Sequence, residues 1–182
     1  MKSYVILFLL VLFSANQTNK AEEIVSNYLL ESNRYNFEKA SEFLDPNYKE
    51  EFIDGSAEVE NLQQLKDFMA WRKVLNSKST LLSIKASNDT VNTVESIYHF
   101  MDEILERKPR TFSISYVFKG DKILRSIIDT LPGHSETVRF NRTQFMAFQK
   151  FCDQEGIDSA MGMNGEGAQA LKNTLERYKK SR

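Results

Sequence analysis

The stretch Arg110–Leu131, RTFSISYVFKGDKILRSIIDTL, decides how this chain folds. Phe112, Ile114, Tyr116 and Phe118 alternate with Thr111, Ser113, Ser115 and Val117, the period of a strand with one apolar face. Lys119-Gly120-Asp121-Lys122 interrupts the pattern, which resumes over Ile123–Thr130. Gly-Asp between two such runs signals a tight hairpin, because glycine accepts the positive φ required at the first turn position. A two-residue loop fixes a register in which Phe118 faces Ile123, Tyr116 faces Arg125, Ile114 faces Ile127 and Phe112 faces Asp129. One face is then aromatic and aliphatic yet carries Arg125 and Asp129. Charges on such a face need partners or a solvated cavity.

Upstream, the period of 2 extends back to Lys78. Ser79–Ala86, Val91–Leu105, Thr111–Lys119 and Lys122–Leu131 read as consecutive strands, with turns at Asn88-Asp89 and Arg107-Lys108-Pro109. Short connections make them an antiparallel meander. Before Lys78 the period is helical. Ala21–Asn33 carries Ile24, Val25, Tyr28 and Leu29 as one stripe. Asn36 caps a second helix containing Phe37, Ala40, Phe43 and Leu44, which Asp45-Pro46 ends. Tyr48 and Phe52 belong to a helical turn or a short strand. Asn61–Leu75, with Gln64 three residues after its cap, is a third helix. Beyond Pro132-Gly133, Thr143–Gln154 and Ala168–Lys180 are amphipathic helices flanking a glycine-containing segment at 156–167.

The expected class is therefore α+β: N-terminal helices packed on a curved, antiparallel four-stranded sheet, cone-like, with a helical C-terminal extension. The expected divisions are a leader at 1–20, the α+β domain at 21–131 and the extension at 132–182. Lys2 followed by the ten-residue apolar run Tyr4–Phe13 and the small pair Ser14-Ala15 reads as a secretory signal. It places the mature chain in the periplasm or outside the cell. Phe13 makes a poor cleavage site, so an uncleaved membrane anchor is the alternative.

Composition excludes several function classes. Lys and Arg number 24 against 25 Asp and Glu, so no strong field favours nucleic acid. Cys152 is the only cysteine, which rules out an intrachain disulfide; beside Phe148 and Phe151 it reads as a buried small hydrophobe. Two histidines offer little for a metal, and the chain carries no phosphate loop, nucleophile elbow or dinucleotide fingerprint. No cofactor is expected. Asn16, Asn88 and Asn141 each open a glycosylation sequon.

The order helix, helix, short aromatic segment, helix and four meandering strands resembles the nuclear-transport-factor-2-like superfamily, which includes the SnoaL-like proteins. Leu44-Asp-Pro-Asn-Tyr48 looks like that superfamily's entry into its first short strand, and Gly120–Asp129 like its closing hairpin and last strand. The likeness covers residues 21–131 and lies in architecture rather than in any diagnostic motif. It implies a helix-lined cone that members use for isomerisation, cyclisation, hydration, ligand binding or dimerisation.

The expected lining of that cone is Tyr116, Arg125, Asp129, Trp71 and Phe112. The preferred function is a non-catalytic binding or accessory module holding a small apolar ligand or a protein partner, with a homodimer through the sheet face compatible with the resemblance. The alternative is a small cofactor-independent isomerase or cyclase in which Asp129 is the base and Tyr116 and His99 polarise the substrate. The register that places His99 stays open, since Val91, Ile97, Met101 and Leu105 compete with Val94, Tyr98, Phe100 and Ile104 for the inner face. Glu95 lies four residues from His99, ~13 Å along a strand, too far for a direct pair.

Overall fold

A computed structural model describes residues 20–87, 89–158 and 161–182. Helix α1 spans 20–33 and lays Val25, Tyr28 and Leu29 into the core. Asn36 caps α2 (Phe37–Ser41), its side chain accepting the Lys39 N–H. Strands β1 (Leu44–Phe52) and β2 (Ala57–Val59) follow, then α3 (Leu62–Val74), whose cap Asn61 accepts the N–H groups of Gln63 and Gln64. Next come β3 (Lys78–Ser87), β4 (Thr90–Tyr98), the short α4 (Phe100–Ile104), β5 (Arg110–Lys119) and β6 (Lys122–Thr130). Helices α5 (His134–Glu155) and α6 (Gly165–Lys180) complete the described chain. Most of the expected leader, including Asn16, and Asn88 lie outside the described residues.

The sheet has six strands in the order β2-β1-β6-β5-β4-β3. The β3–β6 part is the expected antiparallel meander, but β1 adds to it in parallel beside β6, and β2 extends the far edge. Boundaries also differ, and α5 begins at His134 rather than at Thr143. The segment at Asp45-Pro46 is already strand, because α2 stops at Ser41 and Leu44 is paired with Ile123. Strand β4 ends at Tyr98 rather than continuing to Leu105: the Asp102 carboxylate accepts the His99 N–H at 3.1 Å and turns the chain into α4.

The hairpin closes as the Gly-Asp signal requires, with Gly120 at φ +62° and Lys119 opposite Lys122. Beyond it the register departs from expectation. Phe118 pairs with Ile123 but Val117 pairs with Arg125, so Leu124 is an extra residue in β6. Such a bulge inverts the side-chain parity of everything after it. Ser126 and Ile128 now lie beside Tyr116 and Ile114, while Arg125, Ile127 and Asp129 point to the other face. The bulge thereby keeps Ile123 fully buried without drawing two charges into the core. On the parallel neighbour Glu51 meets Arg125 at 3.3 Å, and Glu50 falls in register with Ser126 on the inner face.

The inner face and helices α1–α3 enclose one apolar core built around Val25, Tyr48, Leu65, Met69, Val91 and Ile114. A second core joins Leu75 and Leu105 to Phe148, Cys152, Leu171, Leu175 and Tyr178. Through it α6 packs on α3 and α4, and α5 closes against α6. Cys152 is fully buried there, and burial raises its thiol pKa. Asn141, 4% exposed, is no accessible sequon: its amide bonds the Lys108 carbonyl at 2.9 Å and the Lys108 N–H at 2.8 Å. That two-bond clasp ties α5 to the turn before β5. Among the described residues no helix is long and apolar enough to cross a membrane.

Candidate functional site

Between the inner face and helices α1 and α3 lies a cavity of about 190 Å³. A 150 Å³ apolar cavity holds benzene, so this one accommodates a ring with a short substituent. Phe68 and Trp71 on α3 stack at 5.9 Å between centroids and form one wall. Phe52, Ile97, Phe112, Ile114 and Ile128 form the opposite wall, on the sheet. Met163, just before α6, reaches the same space.

Tyr116, Trp71, Phe112 and His99 therefore share one cavity. Arg125 and Asp129 do not line it. The bulge at Leu124 turns them outward, Arg125 onto Glu51, and the Asp129 carboxylate accepts the neighbouring Thr130 N–H at 2.7 Å. The hairpin register expected without a bulge placed both wrongly. His99 falls on the inner side because β4 contributes Val91, Thr93 and Glu95 to the core and the same parity runs through Ile97 to His99.

The polar groups of the cavity form three sets. Glu95, 2% exposed, accepts hydrogen bonds from Thr93 Oγ1 at 2.7 Å, Tyr116 Oη at 2.7 Å and Ser79 Oγ at 2.6 Å. Three donors on one carboxylate satisfy it without a cation. Burial and the Glu95 charge drive the Tyr116 phenol well above its ordinary pKa, so it stays a donor.

The second set is Tyr28, Tyr48, Glu50 and Ser126. Glu50 Oε1 accepts from Tyr48 at 2.8 Å and Tyr28 at 3.3 Å, and Tyr48 shares a 2.8 Å contact with Ser126. Burial raises the Glu50 carboxyl pKa, opposed by the Tyr48 hydrogen bond and the Arg72 charge. Tyr28 stands edge-on to both Tyr48 and Tyr116, linking the two carboxylate sets.

The third set surrounds His99, which is 2% exposed. Arg110 Nη2 lies 3.0 Å from its Nε2, and a guanidinium only donates, so Nε2 is the acceptor. The ring proton of the neutral form is then on Nδ1, 3.3 Å from Asp102 Oδ2. Burial first, then the Arg110 and Arg107 charges, depress the His99 pKa to about 3. Asp102, fully buried, also meets Arg107 at 3.1 Å, although burial still raises its pKa. Trp71 stands edge-on to the imidazole at 5.7 Å. At neutral pH His99 is an uncharged, oriented ring that carries no proton to donate from Nε2.

Sequence reasoning missed Glu50, Arg110 and Tyr28 as cavity groups and treated Glu95 only in relation to His99. The alternation Tyr48-x-Glu50-x-Phe52 after Pro46 held the signal for Glu50, since a strand puts all three on one face. Among the described residues no cluster of three or more His, Cys, Asp or Glu is arranged to hold a metal.

No family model matches the sequence, and no curated protein does. Solved structures do match. An uncharacterized cystatin-fold protein from Novosphingobium aromaticivorans aligns with a TM-score of 0.51 at 13% identity, over 59% of this chain and 96% of that one. A candidate ketosteroid isomerase from Kribbella flavida aligns at 0.50 and 10% identity, over 62% and 78%. TerC, co-crystallised with polyporic acid, aligns at 0.50 and 11% identity, over 68% and 98%. The chain has the nuclear-transport-factor-2-like fold that its element order resembles. At these identities the likeness is one of fold.

Proposed function

We propose that this protein is an exported, non-catalytic binding module that holds one small, largely apolar ring compound between α3 and the inner face of the sheet. The cavity carries the reading: about 190 Å³ walled by Phe68, Trp71, Phe112 and Ile114. Glu95 is saturated by three hydroxyls and His99 is neutral and fixed, so neither is poised to move a proton. The fold is shared with a protein crystallised with polyporic acid, which supports a ligand-binding use of it. Export rests on Lys2 and the apolar run Tyr4–Phe13. Pairing of two copies through the outer sheet face belongs to the same proposal.

Titration of the ¹⁵N-labelled chain with indole tests it. Shifts concentrated at the Trp71 indole N–H and the amides of Phe112, Ile114 and Tyr116 support the reading. An unperturbed spectrum, or shifts confined to the face bearing Arg125 and Asp129, refutes it.

Glu50 favours a second reading. Its carboxyl is raised above the ordinary range, faces the cavity and is oriented through one oxygen by two tyrosines, which are the attributes of a general base. In a cofactor-independent isomerase or cyclase on this fold, Glu50 would hold the place that the unbulged register assigned to Asp129.

A further inference from the structure

Two arginines on the cavity wall lack the carboxylate partner that Arg107 and Arg125 have. Arg107 lies 3.1 Å from Asp102, and Arg125 lies 3.3 Å from Glu51. Arg72 on α3 and Arg110 at the start of β5 are also partly buried, and both line the cavity. Yet neither has a carboxylate within 4.0 Å among the described residues. Arg72 reaches only Asn33 Oδ1, at 3.4 Å, and Arg110 reaches only the neutral His99. The Arg110 Nε, like the Nε of Arg107 and of Arg125, is sealed from solvent with no hydrogen-bond partner among the described residues; what sets Arg110 and Arg72 apart is the missing carboxylate. Guanidinium groups are costly to enclose unpaired.

The acids that share the cavity do not relieve this. Glu95 is taken by three hydroxyls. Glu50 is held by Tyr48 and Tyr28, and Glu58 lies at the exposed side; they feel Arg72 and Arg110 respectively only through space. His99 registers the result, since its charged form is opposed by Arg110, Arg107 and Arg72 together. Trp71, Phe68 and Phe112 line the same cavity.

We propose that the bound ring compound carries a carboxylate, received by Arg110 and Arg72 beside His99, with its ring between Trp71, Phe68 and Phe112. This rests on the binding reading above and adds the chemical class of the ligand. A guanidinium fork matches a carboxylate with two parallel N–H···O bonds, and the group supplies the directly bonded carboxylate that neither guanidinium has. Such a ligand is a small aromatic or alicyclic acid rather than a neutral hydrocarbon.

The test uses trans-cinnamate and its uncharged isostere trans-cinnamamide, followed through Trp71, the only tryptophan. Cinnamate binds about tenfold or more tighter than the amide, the scale of one charge-assisted hydrogen bond. Arg110→Gln and Arg72→Gln each erase most of that preference while leaving amide binding in place, which also shows that the variants are folded. Arg110→Lys retains part of it, and Arg139→Gln on the exposed side of α5 changes nothing. Equal affinity for acid and amide in the parent protein overturns the carboxylate assignment and leaves the binding reading standing. Absence of binding for both probes overturns the two together.

Discussion

Acid should weaken this fold through His99 by an amount the structure sets, beside the carboxylates Asp45, Glu51 and Asp54, whose lowered pKa values act in the same sense in parent and variant alike. In the unfolded chain the imidazole titrates near 6.5; enclosed beside Arg110 and Arg107 it titrates at about 3. Between those values the unfolded state binds a proton that the folded state refuses. Stability therefore rises with pH across this window and falls as the solution is acidified. Each unit below 6.5 removes about 1.4 kcal/mol, roughly 3 kcal/mol by pH 4 and nearly 5 kcal/mol once both states are protonated. Asp102 and Glu50, whose carboxyl pKa values are raised, act in the opposite sense and are present in both parent and variant. The comparison is urea unfolding of the parent and of His99→Gln at pH 8, 6, 5 and 4, read by Trp71 fluorescence. The parent should lose about 3 kcal/mol more than the variant between pH 8 and pH 4. Parallel pH profiles would refute the enclosure of a neutral His99. A parent that gained on the variant in acid would mean that the Asp102 contact outweighs both burial and the arginines.

Three further substitutions address the α5 clasp and the catalytic reading. Asn141→Ala removes both bonds of the clasp on Lys108 and should cost about 2 kcal/mol in urea unfolding; a cost near zero would show that α5 is held by its apolar face alone. If the protein is an isomerase or cyclase, Glu50→Gln should lower turnover of its substrate by about two to four orders of magnitude, while Asp129→Asn should leave it unchanged. The reverse pattern would contradict the bulged register.

Much of the fold was legible because local chemistry and tertiary packing agree. Asn36 and Asn61 cap the helices they precede, Gly120 turns the hairpin, and the period of 2 marks β3, β5 and β6. What stayed hidden was non-local. The parallel docking of β1 on β6 depends on partners some 75 positions apart, such as Glu50 and Ser126, which neither segment announces. The bulge at Leu124 left no glycine as a marker, and the residue pattern KILRSIID suits either parity until burial of both Ile123 and Ser126 decides it. A single inserted position then exchanged Arg125 and Asp129 for Ser126 and Ile128 on the cavity wall. The aromatic wall survived that error, because Trp71, Phe112 and Tyr116 lie on elements whose phase was read correctly. The charged residues expected there, Arg125 and Asp129, did not, and Arg110 sits at a strand end where a solvated role is the ordinary one.

Native and denaturing mass spectra of the chain isolated from its own host address the central claim, a cavity built to hold one small ring acid. The folded species should be heavier by one small molecule, lost on denaturation and recovered in negative-ion mode as a carboxylic acid small enough for about 190 Å³. A folded species whose mass equals that of the bare chain would contradict it.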